Sequence, residues 1–176
     1  MGILNVTPDS FSDGGRLAGP DQAIEAGLAL RAAGADIIDV GGESTRPGAT
    51  PVPLDEELRR TIPVVEGLAK AGVPVSIDTM KAQVMRAALA AGATLLNDVS
   101  ALQADPESLG VAAGSTAQVV LMHMPGNPQT MQALAHYTDP VAEVIAHLQA
   151  RIAAAEAAGI PRTRLIADPG IGFGKG

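Results

Sequence analysis

Six short apolar runs recur along this chain of 176 residues, and an alanine-rich stretch separates most of them from the next. They lie at Ile3-Leu4, Ile37 to Val40, Val75 to Ile77, Leu95-Leu96, Gln118 to Met122 and Leu165 to Ala167. Each is β-branched or leucine-rich and apolar at consecutive positions. That is the signature of strands buried on both faces, and so of a parallel sheet. Between them, helical spacing is clearest from Asp139 to Ala158. There Val141, Val144, Ile145, Leu148 and Ile152 share a face, and Asp139-Pro140 is an N-cap followed by proline at the first position. Further helices are predicted from about Asp21 to Ala33, Asp55 to Ala71 and Lys81 to Ala91. Pro63 is expected to kink or split the second of these.

A weak internal repeat reinforces this order. Ala33-Gly34-Ala35-Asp36-Ile37-Ile38-Asp39 resembles Ala91-Gly92-Ala93-Thr94-Leu95-Leu96-Asn97, and Ala71 to Asp78 is a looser copy. Each copy has a helix end, a glycine cap, a short strand and then a polar residue. Repeated βα units fit a barrel or a doubly wound sheet. The barrel is favoured, because no run is followed by a Gly-x-Gly-x-x-Gly turn opening a helix. The predicted fold class is therefore α/β, a TIM-type (β/α)8 barrel in a single domain over residues 1–176. A complete barrel takes ~250 residues. The chain begins inside its first strand and stops in a glycine-rich loop after its sixth, so an incomplete barrel of about six βα units is expected.

Composition narrows the functional classes. Apolar residues are 47% and aromatics only 2%, so the core must be aliphatic. Net charge is −7 with no basic cluster, which argues against nucleic-acid binding but leaves room for an anionic small molecule held by one or two arginines. The absence of cysteine rules out disulfides and thiolate metal sites. No apolar stretch approaches the roughly 18 residues of a membrane span, and no signal-peptide pattern opens the chain, so a cytoplasmic protein is expected.

In parallel α/β folds, sites form at the carboxyl ends of strands. Here those ends carry Asn5, Asp39 then Glu43, Asp78, Asn97-Asp98, His123 and Asp168. One such residue usually caps the next helix; six converging on one rim point to a site. The polar loop Asn5 to Gly15 contains Phe11, one of only two phenylalanines, and suits a mobile lid. The loop Gly41 to Gly48 has glycines, hydroxyls and Arg46, whose planar fork fits phosphate or carboxylate. Both loops, near Val6 to Leu17 and Ser44 to Val52, are expected to be poorly ordered without substrate. His123 is a possible general base without the partners of a metal site. Asp168 opens a glycine-rich loop, and its carboxylate can accept two parallel hydrogen bonds from a flat 2-amino-pyrimidinone edge.

Together these segments resemble the dihydropteroate synthase family. Met1 to Gly15 looks like its first signature and Gly41 to Ala49 like its second. Ser76 to Lys81, Leu96 to Val99, Leu121 to Met124 and Asp168 to Lys175 match in order and spacing. The resemblance implies condensation of a dihydropterin pyrophosphate with p-aminobenzoate. Asp78, Asn97 and Asp168 would bind the pterin, with Val99, Met122 and Phe173 as apolar walls. Asn5 would approach a magnesium ion (Mg2+) that accompanies the pyrophosphate. Ser10, Thr45 and Arg46 would serve the pyrophosphate and p-aminobenzoate end, and Asp9, Ser10 and Phe11 a closing loop. Asp9, Phe11, Arg46 and Asp78 are the implied catalytic residues. The expected partners are these small molecules and a second copy in a homodimer, with neither nucleic acid nor membrane. The family places Ser-Arg-Lys and Arg-x-His segments after the sixth strand, and this chain ends at Gly176 without them. A pterin-dependent methyltransferase of the same fold and a non-catalytic pterin-binding module are the alternatives.

Overall fold

The repeated Ala-Gly pair closes a helix in the same way at four places in the computed structural model, which describes residues 1–7 and 19–175. Gly34, Gly72, Gly92 and Gly159 have φ of 107, 76, 110 and 97°. The following N–H groups reach back to Leu30 O (3.1 Å), Leu68 O (3.1 Å), Ala88 O (2.9 Å) and Ala155 O (3.0 Å). This is the left-handed cap that satisfies the last carbonyls of a helix, and glycine adopts it without a Cβ penalty. After three of the four caps the chain turns at once into a strand; after Gly159 a short 3-10 turn intervenes.

Five βα units and a sixth strand result. The strands are β1 (Gly2–Asn5), β2 (Ile38–Gly41), β3 (Val75–Asp78), β4 (Leu95–Asp98), β5 (Gln118–Met122) and β6 (Leu165–Asp168). They are all parallel and lie in sequential order in one sheet. The helices are α1 (Pro20–Ala32), α2 (Leu54–Lys70), α3 (Ala82–Ala90), α4 (Ser108–Ala113) and α5 (Pro140–Ala157). The Asp139 side chain caps α5 by accepting from Ala142 N at 3.0 Å, and Glu143 Oε1 accepts from Asp139 N at 3.1 Å in return. Pro63 does not split α2. It sits on the exposed face, where the carbonyl it leaves unpaired can bond water. The short helix α4 gives too few turns for its periodicity to be seen in the sequence.

Strand parity separates two faces. Leu4, Ile38, Val40, Ile77, Leu96 and Leu121 pack with the helices into the main core. The opposite face carries Ile3 and Asn5, Asp39 and Gly41, Ser76 and Asp78, Leu95 and Asn97, Val120 and Met122, Ile166 and Asp168. This inner face is not the second dry layer expected from the apolar runs. Polar residues interrupt it, and Ile3 and Ile166 on the outermost strands are 58% and 40% exposed.

Asp98 shows what alternation does to neighbours. It follows Asn97 but points to the helix side and is fully buried. Its carboxylate accepts from Ser100 N (2.8 Å), Ser100 Oγ (2.7 Å) and Leu102 N (3.1 Å). These bonds hold Ala101 and Leu102, both buried, at φ of 53 and 62°, where residues with a Cβ are strained. Burial pushes the Asp98 carboxyl up to about 6 against the pull of those bonds. Asp98→Ala leaves three donors unpaired around a strained turn and should lower unfolding free energy by about 3 kcal/mol, read from urea denaturation. A raised folded pKa favours the fold while the group is protonated, and that contribution is lost as pH rises from 3.8 through about 6. Asp98→Asn removes this loss, so stability of the variant should climb with pH more steeply than wild type across that window.

Candidate functional site

Parallel register brings the predicted strand-end residues onto one rim. Asn5, Gly41, Asp78 and Asn97 occupy one level of the inner face, and Met122 and Asp168 the next level toward the carboxyl ends. A Cβ built on Gly41 would lie 3.4 Å from Asp78 Oδ2 and 3.7 Å from Asn5 Oδ1, so glycine leaves the space between those two oxygens open. Asn97 Nδ2 donates to Asp39 Oδ2 at 3.0 Å. Asn97 and Asp168 line the same cavity of 290 Å³, together with Leu95, Val120 and Ile166.

The floor is rich in carboxyls. Burial holds Asp78 well above the usual carboxylate range, and Asp39, Asp98, Glu57 and Glu43 push it further the same way. Burial also raises Asp39, against the pull of the neighbouring Ser76 hydroxyl and Asn97 amide. Asp39 Oδ1 and Ser76 Oγ are sealed from solvent without a completed hydrogen bond among the described residues. Asp39 stood out in the sequence only as one more strand-end residue. The register places it one level below Asp78, as a second acid of the floor.

The apolar walls assemble beside this floor. Val99, Met122, Met124 and Met131 are buried in one cluster, with Met80 and Phe173 packed against it. The glycine-rich loop that carries Phe173 is closely held. Asp168 Oδ1 accepts from Gly170 N at 2.8 Å, and Phe173 N donates to Gly170 O at 3.0 Å. Gly170 has φ of 66°, and a Cβ there would lie 2.1 Å from His123 O, so only glycine fits. Lys175 Nζ lies 2.8 Å from His123 Nδ1 and donates to His123 O at 3.1 Å and Phe173 O at 2.9 Å. Burial and the Lys175 charge bring His123 down to about 4, so at neutral pH its Nδ1 accepts from the ammonium. The ring packs edge-on against His147 of α5, with centroids 4.8 Å apart. His123 is thus engaged in holding the loop, which does not suit the general-base role open to it in the sequence.

The loop between β2 and α2 is the third part. Thr45 is half-buried and Arg46 exposed, and neither side chain makes a hydrogen bond or ion pair among the described residues. The structure therefore does not bring them into contact with the floor. The loop is tied by Gly48 N to Pro128 O at 3.1 Å. Asp9, Ser10 and Phe11, and most of the proposed lid, lie outside the described residues. Among the described residues no group of three or more His, Asp or Glu side chains is placed to hold a metal. What the rim offers a hard cation is the Asn5 amide oxygen with a carboxyl nearby, which suits magnesium that keeps waters and phosphate oxygens as its main ligands. No described helix is long and apolar enough to cross a membrane.

An N–H-accepting floor flanked by a thioether and aromatic wall suits a flat, nitrogen-rich heterocycle. Comparison with known proteins points the same way. The Escherichia coli dihydropteroate synthase is 51% identical over 176 residues, which is 99% of this chain and 62% of that protein. The Xanthomonas albilineans dihydropteroate synthase with 4-aminobenzoic acid superposes with a TM-score of 0.90 at 56% identity, covering 99% of this chain and 62% of that one. The same enzyme in complex with 7,8-dihydropteroate gives 0.86 at 51% identity, covering 99% and 61%. The chain thus spans about three fifths of the length of these relatives. The family model of the pterin binding enzymes matches residues 1–176, so the chain belongs to the pterin binding enzyme family.

Proposed function

We propose that the protein is a dihydropteroate synthase of folate biosynthesis. It condenses 6-hydroxymethyl-7,8-dihydropterin pyrophosphate with p-aminobenzoate, giving 7,8-dihydropteroate and pyrophosphate. The observation that carries this reading is the convergence of Asp78, Asn97 and Asp168 on one rim beside the cluster of Val99, Met122 and Phe173. Asp168 and Asp78 accept the N–H groups of the pterin edge, and Asn97, with both a donor and an acceptor, fixes its orientation. Met122, Val99 and Phe173 cover its faces.

The p-aminobenzoate nitrogen forms a bond to the pterin methylene carbon as the carbon–oxygen bond to pyrophosphate breaks, and the nitrogen loses a proton. Charge builds on the leaving oxygen, so the rate comes from positioning and neutralisation rather than from a protein nucleophile. Arg46 and Thr45, with Ser10, serve the pyrophosphate and p-aminobenzoate end; Asp9 and Phe11 belong to the loop that closes there. Asn5 is the protein oxygen offered to magnesium. When bound, magnesium supplies charge neutralisation to the departing pyrophosphate. A cytoplasmic homodimer accompanies this reading, which rests for these last features on the family resemblance. Formation of 7,8-dihydropteroate from the two purified substrates by the protein that carries this sequence tests it. Tight pterin binding with no product would instead indicate a binding module, and corrinoid-dependent methyl transfer a methyltransferase.

Two sharper outcomes follow from the floor. In Asp168→Asn the retained amide oxygen can still accept from Gly170 N, so the melting temperature should hold. The new amide N–H faces a ligand N–H, and pterin affinity should fall by about two orders of magnitude or more in calorimetric titration. Equal affinities would remove Asp168 from the site. Pterin binding at a pH below the raised pKa of Asp78 should also expel a proton. Asp78 is held above its ordinary range by burial and by Asp39, and a ligand that donates to it binds the carboxylate. Affinity should therefore rise with pH up to the raised pKa and level off above it. Calorimetry in two buffers of different ionisation enthalpy reads the released proton, and identical heats would contradict the assignment.

A further inference from the structure

The loop between β2 and α2 has little to hold it from its own composition, with glycine or proline at positions 41, 42, 47, 48, 51 and 53. A partly buried charge cluster at its base does so instead. Lys81 Nζ donates to Glu43 Oε2 at 2.8 Å and to Glu57 Oε2 at 2.5 Å. Glu43 Oε2 also accepts from Val52 N at 2.6 Å, so one carboxylate staples the start of the loop to its end. Glu57 lies on α2, is fully buried, and receives Thr79 Oγ1 at 2.6 Å on its other oxygen. Arg60 Nη1 adds a bond to Gly42 O at 2.9 Å. Lys81 itself stands at the start of α3, where Asp105 Oδ2 accepts from Ala82 N at 2.9 Å.

A fold that needed only packing at position 57 would be served at least as well by an apolar side chain, because taking an ion pair out of water costs much of what the pair gains. The charges here instead act at a distance from the core, on the stretch that bears Thr45 and Arg46. The ammonium is the link: without it Glu43 and Glu57 are two neighbouring carboxylates that repel, and Glu43 loses its tie to the start of α3. We propose that Lys81, bridging Glu43 and Glu57, is a positioning residue that fixes the Thr45–Arg46 loop at the p-aminobenzoate end of the site. The pterin floor, built from β3, β4 and β6, is positioned by the strand register and needs this bridge far less.

The proposal rests on the synthase reading and is tested on the protein that carries this sequence, by steady-state kinetics and pterin titration of Lys81→Met, Lys81→Arg and Glu43→Gln. Lys81→Met should raise KM for p-aminobenzoate, or lower kcat, by about ten- to a hundredfold, the effect of a small misplacement. Pterin Kd should change much less. Lys81→Arg, which keeps the charge and can span two carboxylates, should recover most of the loss. Glu43→Gln keeps an acceptor for Val52 N while losing the ion pair, and should shift KM in the same direction; it carries the test where Lys81→Met fails to fold. Unchanged kinetics in the soluble variants, or equal losses in pterin Kd and in KM, would overturn the positioning role. A wild-type protein without synthase activity would instead sink the parent reading.

Discussion

Carboxyl groups crowd the carboxyl ends of β2, β3 and β4, and the Lys81 ammonium stands among them. Asp39 and Asp78 face inward, Asp98 faces the helices, and Glu43 and Glu57 meet Lys81 at the rim. Ionising all of them in a low-dielectric setting is unfavourable, so each carboxyl survives only through a specific arrangement. Asp98 takes three donors from one turn. Glu43 and Glu57 share Lys81. Asp39 takes the Asn97 amide. Asp78 makes no such hydrogen bond among the described residues, and burial and its acidic neighbours hold its pKa well above the usual range. A carboxyl raised by burial and by its acidic neighbours gains from any ligand that brings N–H donors to it.

Much of this was legible in the sequence because it depends on local chemistry. The Ala-Gly caps, the Asp139 N-cap and the polar residue after each apolar run are signals within a few residues of one another, and the structure realises each of them. Asp78, Asn97 and Asp168 could be placed on one rim for the same reason. What escaped depends on orientation or distance. Asn97 and Asp98 are equivalent as letters, yet alternation sends one to the site and the other to the core. Glu57 looks like any acidic residue in the first turn of a helix. Only its meeting with Lys81 and Thr79, more than 20 residues away, shows it to be buried. His123 has the chemistry of a base, and the neighbour that redirects it, Lys175, lies 52 residues downstream.

Two devices of similar design hold the loops around the floor. At one side, Lys175 gathers His123 and the carbonyl of Phe173, so that a glycine-rich segment keeps its aromatic residue against Met122. At the other, Lys81 gathers Glu43 and Glu57. In both, a flexible lysine from a separate element is the common donor, and the loop that it restrains contributes little order of its own. Three rotatable donors on a long stem suit this task, because the ammonium can satisfy acceptors whose positions were set by unrelated strands and turns.

An acidic floor poses a question for a protein proposed to bind a pyrophosphate ester. With a net charge of −7 and several buried carboxyls beneath the site, an anion gains nothing from approaching the floor. The two ends of such a ligand differ, however. The heterocycle presents N–H donors and suits Asp78 and Asp168. On the proposed reading the pyrophosphate would be repelled from them, toward the loop bearing Arg46. On that reading the repulsion would orient the substrate as much as the attraction does, since the reversed pose would place phosphate oxygens on carboxylates and leave the N–H edge facing an arginine.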